Sequence, residues 1–393
     1  MGVVEDRKPV DGEALDLLLK VVHVRHYLGA SEHVDEVVSF LISEMDCDGH
    51  QVGILRRADE QIAAARAAMN HTNTLILGRD EVVSDSVAGQ FGLFDLCYFE
   101  LPTLNRHLAR SLPTHVRGST VKAIELIGRW PVPSPAMAVV GPEGLRSRHG
   151  SFYTVVRWAS VTKLFTAYSV LIGVEDGRWT LDDPAGPPGS TVRHLLGHAS
   201  GLPFEGQTPI TPPGRRRIYT NAGFDLLGEF VTQKTGQVFA DYLKDKVLAP
   251  LGIEAELRGR PSEGLVGGVI AMARLAAELL TPTLLGSALL KEATTVAFPT
   301  LPGMLPGVGR FDPLDWGLGF EIKGAKSPHW TGQTNSPETY GHFGGSGAFL
   351  WVDPVARIGL CVQTGREFGP WALESWPILS DTVLGEASAP HSR

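Results

Sequence analysis

The chain has 393 residues, of which 43% are apolar and 20% charged; this balance excludes disordered, collagenous and coiled-coil proteins and leaves a globular chain with room for one large or two ordinary domains. A formal net charge of −8 excludes a nucleic-acid binder that works through bulk positive charge, and no run approaches the ~18 apolar residues of a membrane-spanning helix. The three cysteines, Cys47, Cys97 and Cys361, are too few and too scattered for a disulfide framework or a zinc knuckle.

Such thiols fit a reducing compartment. At the start of the chain, Glu5, Asp6, Asp11, Glu13 and Asp16 stand where an export signal needs a basic head and an apolar run, which implies the cytoplasm. Residues 1–116 carry helical patterns at Glu13–Val24, His33–Met45 and Arg56–Asn70, and a fourth, broken by Pro102, from about Ala88 to Arg110. Thr74–Leu77 is the main strand-like run. His23, His26, His33, His50, His71 and His107 lack Cys, Asp or Glu at a tight helical spacing, so they read as solvent-facing side chains rather than a metal site. Asp46-Cys47-Asp48-Gly49 is too short for a calcium loop and reads as a turn.

From about residue 117 the character changes. Pro135–Val140 and Tyr153–Trp158 read as strands, with Gly141-Pro142-Glu143-Gly144 as a turn. Ser160–Asp176 is a strongly apolar helix stopped by Gly177. Leu181-Asp182-Asp183-Pro184 is a turn, and Thr191–His198 a short helix capped by Ser190 or Thr191. Asn221–Lys234, Val238–Leu248 and Val266–Leu280 read as helices, followed by a long Pro/Gly-rich connection, Thr281–Asp315. Gly317–Ile322, Gly347–Val352 and Arg357–Gln363 read as strands, the last two joined by a turn at Asp353-Pro354, and Trp371–Leu384 as a closing helix. Strands at both ends with helices between predict an α/β (α+β) domain over 117–393, its antiparallel sheet built from the two ends and flanked by helices, with a helical lobe. Residues 1–116 form an extra, mostly helical N-terminal region with no assigned role.

The sharpest chemical feature is Ser160-Val161-Thr162-Lys163, where a strand-like run gives way to a helix. A serine at a helix N-terminus feels the positive end of the dipole, and a lysine three residues on shares its face. If that lysine is desolvated, its neutral amine can take the serine proton. A second copy of the spacing, Ser119-Thr120-Val121-Lys122, follows no strand and reads as a helix cap. His194 and His198 lack the Glu of a zinc-protease motif. No Gly-x-Ser-x-Gly occurs, Gly344-Gly345-Ser346-Gly347 lacks the lysine of a phosphate loop, and Arg215-Arg216-Arg217 reads as a solvated loop.

Trp158-Ala159-Ser160-Val161-Thr162-Lys163, Glu175-Asp176-Gly177, Leu181-Asp182-Asp183-Pro184 and the stretch Thr191 to Pro203 resemble the serine β-lactamase and penicillin-binding-protein-like hydrolases, in their class C and esterase branch. Pro213-Gly214 followed by Tyr219-Thr220-Asn221-Ala222-Gly223 is similar to that branch's Tyr-x-Asn element. Pro250-Leu251-Gly252 and Trp316-Gly317-Leu318-Gly319-Phe320 also match. Gly341-His342-Phe343-Gly344-Gly345-Ser346-Gly347 resembles its third element, a Lys-Thr-Gly or His-x-Gly on an edge strand. Lys234-Thr235-Gly236 spells that element too, but it ends a helix and reads as a solvated lysine before a C-cap glycine.

The resemblance, over about residues 130–385, implies a β-lactamase-like fold and a role for each position. Ser160 would be the acylated nucleophile and Lys163 would hold or accept its proton. Tyr219 would act as general base, as a phenolate or through a relay. Asn221 would orient Lys163 and the substrate, and the amides of Ser160 and Gly345, beside Gly344, would form the oxyanion hole. His342 would be a weaker carboxylate partner than the lysine of many relatives, which favours neutral esters over β-lactams. The expected function is a serine hydrolase acting on small acyl esters, with no metal or organic cofactor and no nucleic-acid or membrane partner. D-amino-acid peptidase, weak β-lactamase, acyl transferase and a non-catalytic binding module are the alternatives.

Overall fold

The computed structural model describes residues 121–388 and two short strands, β1 (Ile76–Leu77) and β2 (Glu81–Val82), which pair antiparallel with Ile76 opposite Val82. β1 falls within the expected Thr74–Leu77 strand. The helical readings at Glu13–Val24, His33–Met45, Arg56–Asn70 and from Ala88 to Arg110, the turn at Asp46-Cys47-Asp48-Gly49, and the six histidines from His23 to His107 lie outside the described residues. The chain divides after His107 into two units.

Within the second unit, a six-stranded antiparallel sheet is assembled from both ends, as the alternating apolar runs predict. In spatial order it contains β11 (Glu321–Ile322), β12 (Tyr340–Gly344), β13 (Ala348–Asp353), β14 (Ile358–Gln363), β3 (Ala136–Gly141) and β4 (Gly144–His149). Successive side chains on a strand face opposite ways, and both faces here are covered. Met137, Val139, Phe349, Trp351, Leu360 and Val362 pack with α1 (Val121–Gly128) and α8 (Pro370–Ser388) in one core. Ala136, Ala138, Val140, Leu350 and Cys361 face a second core that contains α6 (Val269–Leu280). Burying side chains as large as Trp351 and Trp376 on this scale contributes about 2–3 kcal/mol each.

The helical lobe is centred on α2 (Thr162–Glu175), preceded by a 3-10 turn, Ala159–Val161. Residues from Thr162 to Gly173 are all buried, so the helix is apolar nearly all round, as one enclosed on every side must be. Gly173 lies so close to Trp179 that a Cβ there would enter the indole. Around α2 stand α3 (Val192–Leu196), α4 (Ala222–Thr235) and α5 (Phe239–Leu243), which runs into a π-helical turn, Lys244–Leu248. The expected C-cap is present: Gly236 closes α4 at φ +72°.

The structure departs from the sequence expectations where tertiary pairing overrides local pattern. The strand expected at Tyr153–Trp158 shortens to β5 (Val156–Arg157), which joins β7 (Ala255–Leu257) and β8 (Leu265–Gly267) in a small sheet. The start of the expected Val266–Leu280 helix is therefore strand. The connection Thr281–Asp315 holds a helix, α7 (Ser287–Ala293), and a hairpin, β9 (Gly303–Leu305) and β10 (Gly309–Phe311). The hairpin pairs in parallel with β6 (Arg217–Ile218). Of the expected Gly317–Ile322 strand only β11 forms. β12 is not the edge strand, but β11 reaches only Gly341 and Tyr340, so His342–Gly344 forms a local edge. Among the described residues no helix is long and apolar enough to cross a membrane.

Candidate active site

Ser160 sits in the 3-10 turn ahead of α2, partly exposed, beside Ala159, whose φ of +47° is strained for a residue with a side chain. One turn on, Lys163 is fully buried and is the only charged side chain inside the enclosed part of α2. Its Nζ has three oxygen neighbours: Ser160 Oγ at 3.1 Å, Asn221 Oδ1 at 2.6 Å and the Ser262 carbonyl at 2.9 Å. Two of these, the amide oxygen and the carbonyl, can only accept hydrogen bonds. A neutral Lys163 satisfies both with its two hydrogens and turns its lone pair to the serine hydroxyl. Burial pushes the amine down from 10.5 to about 7, against the opposing pull of Asp225, Glu263 and Glu205. The free base is thus well populated at neutral pH.

Tyr219 follows β6 and is buried; its Oη lies 2.8 Å from His342 Nε2. Burial raises the phenol well above its usual value, and a hydrogen bond with Ser160 only partly offsets this. Tyr219 is therefore a neutral phenol, which favours the relay over the phenolate. His342, on β12, is itself buried, and burial with the nearby Lys163 charge lowers it to about 3. His342 is thus buried against the phenol as a neutral imidazole. Asn221 is buried at the start of α4 with both ends of its amide engaged, Oδ1 by Lys163 and Nδ2 by Glu205 Oε1 at 2.8 Å.

β12 reaches Ser160 because of one glycine. A Cβ on Gly344 would collide with the Trp158 carbonyl oxygen, so only glycine lets the strand lie against the turn that carries the serine. Gly345 follows, and a Cβ there would meet nothing within 4 Å. Gly344 thus brings the segment that carries Gly345 alongside the turn that carries Ser160.

A charged rim supports these groups. Arg260 bonds both oxygens of Glu205, at 2.8 and 3.0 Å, and also Asp225 and Glu263. Asp225 Oδ1 in turn accepts the Ser262 amide at 3.1 Å, which fixes the carbonyl that faces Lys163. Sequence reasoning missed Glu205, Arg260, Asp225 and Ser262. The contribution of Ser262 runs through its backbone, which leaves no residue-type signal, and the other three are separated by loops. It also misread Arg217, which is buried rather than solvated. Its guanidinium bonds the main-chain oxygens of Gly197, Leu314 (2.8 Å), Ala297 (2.5 Å) and Phe298 (3.0 Å) and draws the segments around Tyr219 together.

Lys234 of the helical Lys-Thr-Gly is ion-paired to Asp183 at 2.8 Å, remote from these contacts in the hydrogen-bond network. His194 bonds Thr191 Oγ1 through Nδ1 at 2.9 Å, so the cap residue spends its hydroxyl on a side chain rather than on the helix. Among the described residues no group of three His, Cys, Asp or Glu side chains could hold a metal ion.

The family model described as Beta-lactamase matches residues 151–379. The chain is 48% identical to a beta-lactamase from Mycobacterium bovis of known crystal structure, with a TM-score of 0.67 over 68% of this chain and 100% of that one. It is 29% identical over 195 residues to the D-aminopeptidase of Gluconobacter oxydans, covering 36% of each chain. It is 28% identical over 128 residues to penicillin-binding protein 4* of Bacillus subtilis, covering 24% of this chain and 28% of the relative. The chain spans between 28% and 55% of the length of the curated relatives it matches.

Proposed function

The chain belongs to the beta-lactamase family, and from that premise we propose that it is a serine hydrolase that forms an acyl-enzyme on Ser160 and cleaves small neutral acyl esters. One observation carries this reading: the buried amine of Lys163, its other two directions occupied by Asn221 Oδ1 and the Ser262 carbonyl, lies 3.1 Å from Ser160 Oγ. Neutral Lys163 takes the hydroxyl proton as Oγ adds to the ester carbonyl. The amides of Ser160 and Gly345 stabilise the oxyanion. The bond to the alcohol breaks as the intermediate collapses, and the alkoxide recovers the proton by way of the Tyr219 phenol. Water then adds to the acyl-enzyme, gives its proton to Lys163, and releases the acid as Ser160 regains its hydrogen.

The preference for neutral esters rests on His342, which is buried, uncharged and hydrogen-bonded to Tyr219, and so offers no cation to a substrate carboxylate. A peptidase acting on D-amino acids is the second reading, favoured by relatives named D-aminopeptidase and putative D-alanyl-D-alanine carboxypeptidase. We take the hydrolase domain as residues 117–393 and propose a cytoplasmic setting on the sparse, scattered cysteines of the sequence.

A fluorophosphonate should add to Ser160, seen by intact mass and peptide mapping, and Ser160→Ala should abolish the adduct. Absence of an adduct, under conditions that label a control esterase, overturns the acyl-enzyme. Turnover of a p-nitrophenyl ester, a D-Ala-D-Ala peptide and a cephalosporin separates the readings; a peptide rate above the ester rate reverses their order.

A further inference from the structure

The motif Gly197-His198-Ala199-Ser200-Gly201 has no part in the chemistry above, yet His198 contacts Tyr219 and the residues on either side of it. Its carbonyl accepts the Ile218 amide at 2.9 Å, and its Nδ1 accepts the Thr220 amide at 3.1 Å. Its ring lies against the Tyr219 ring with centroids 4.7 Å apart and planes 37° apart. One residue therefore holds the amides on both sides of the tyrosine and one face of its phenol.

We propose that His198 is a positioning residue that fixes Tyr219 for proton transfer; this rests on the reading of Tyr219 as the relay. His198 is fully buried and reaches the reaction only through the tyrosine. Its backbone is held at φ +53°, where a residue with a side chain is unfavourable, so the position is strained and must be maintained by its surroundings. Ala199, next in sequence, accepts the Gly214 amide at 2.8 Å, and Arg217 bonds the Gly197 carbonyl, so the segment is anchored on either side of the imidazole. Phe224 (5.1 Å between centroids) and Trp316 (4.7 Å, edge-on) pack on the His198 ring as well, and Trp316 also contacts Tyr219 and His342.

The role demands one form of the ring. An Nδ1 that accepts from Thr220 carries no hydrogen, so the neutral tautomer has its proton on Nε2. Burial, with the charges of Lys163 and Arg217 and the neighbouring His342, holds the imidazole well below its usual range and keeps Nδ1 an acceptor. Nε2 has no hydrogen-bond partner among the described residues, which leaves the tautomer to be set by the Thr220 amide.

The substitutions His198→Asn and His198→Gly separate geometry from strain. Both residues accept a positive φ, but only Asn places an acceptor near the position of Nδ1. With kcat referred to the serine titrated by fluorophosphonate, His198→Gly should lower kcat about 100-fold with KM changed less than about 3-fold, and His198→Asn should recover about tenfold of that loss. A His198→Asn enzyme no faster than His198→Gly overturns the proposal, as does wild-type kcat per titrated serine in His198→Gly. Tyr219→Phe run in parallel distinguishes the two levels. If it turns over like wild type, the relay reading fails; if it is crippled while His198→Gly is not, only the positioning role fails. On the unmutated protein, 15N–1H correlation of labelled imidazoles at pH 7, assigned through the Thr220 amide proton, should show His198 protonated on Nε2 alone. A proton on Nδ1 overturns the proposal even where no variant folds.

Discussion

Asp225 offers a way to move the basicity of Lys163 without touching the serine. A lysine at its ordinary 10.5 would be neutral in roughly one molecule in three thousand at pH 7. At about 7, half of the molecules carry the free base. The acidic limb of kcat/KM should therefore have its midpoint near pH 7 and fall about tenfold per unit below pH 6. Asp225 favours the ammonium, and its Oδ1 holds the Ser262 amide. Asp225→Asn keeps that acceptor and removes the charge. One charge that faces the amine without touching it, screened to near the dielectric of water, acts with about 0.6–1.2 kcal/mol, or roughly half to one pH unit. The sign is fixed: removing a negative charge beside an ammonium lowers its pKa, so the limb shifts to lower pH and kcat/KM at pH 6 rises about threefold or more. The assay is initial-rate hydrolysis of a neutral p-nitrophenyl ester between pH 5 and 9. A limb that stays in place or moves to higher pH, or a wild-type profile without a limb between pH 5.5 and 8.5, refutes the assignment of Lys163 as base.

Gly344→Ala should displace β12 from the Trp158 carbonyl and cut kcat about 100-fold while fluorophosphonate still finds Ser160; an unchanged kcat argues against Gly345 as an oxyanion donor. Glu321 is buried beside Lys326 (3.0 Å) and His329 (2.8 Å), so Glu321→Gln should lower the unfolding free energy by about 3–5 kcal/mol in urea titrations. Burial raises the Glu321 carboxyl, but His329 and Lys326 outweigh it and hold the group at about 2. Its stabilisation is thus complete above its usual 4.5 and is lost as pH falls from there toward 2, a slope that Glu321→Gln should remove from the acid-unfolding curve. Arg217→Met leaves four main-chain oxygens without their buried donor; it should lower Tm by several degrees and reduce kcat more than KM changes.

Much of the fold was legible where side-chain period and environment agree. The apolar strands β3, β13 and β14 and the turn at Asp353-Pro354 stand close to where alternation puts them. So does the enclosed α2, with its single buried lysine. The Ser160–Lys163 spacing needs only helix geometry, which is why that contact could be anticipated. β5 and β11 were read too long and β8 as the start of a helix, because strands of two or three residues are held by their partners and carry no period of their own. Arg217 was misread for a related reason. Three successive arginines look alike in sequence, and only the parallel pairing of β6 with β9 turns the third one inward. His198 invited a metal reading through its spacing from His194, whereas its contacts are to the amide after Tyr219 and to the rings around it.

The sheet's order of assembly also bears on how the enzyme is made. Gly359 sits opposite Val140 although about 220 positions separate them, so the seam joining early and late strands closes only after β14 has been made. At ~5–20 residues per second, a nascent chain would hold α2 for about 8–33 seconds before β12 emerges. During that interval the serine lacks the strand that lies against it, and β3 presents an open edge that a chaperone could cover. On the proposed reading, the serine would become reactive only once β12 docks against the turn that holds it.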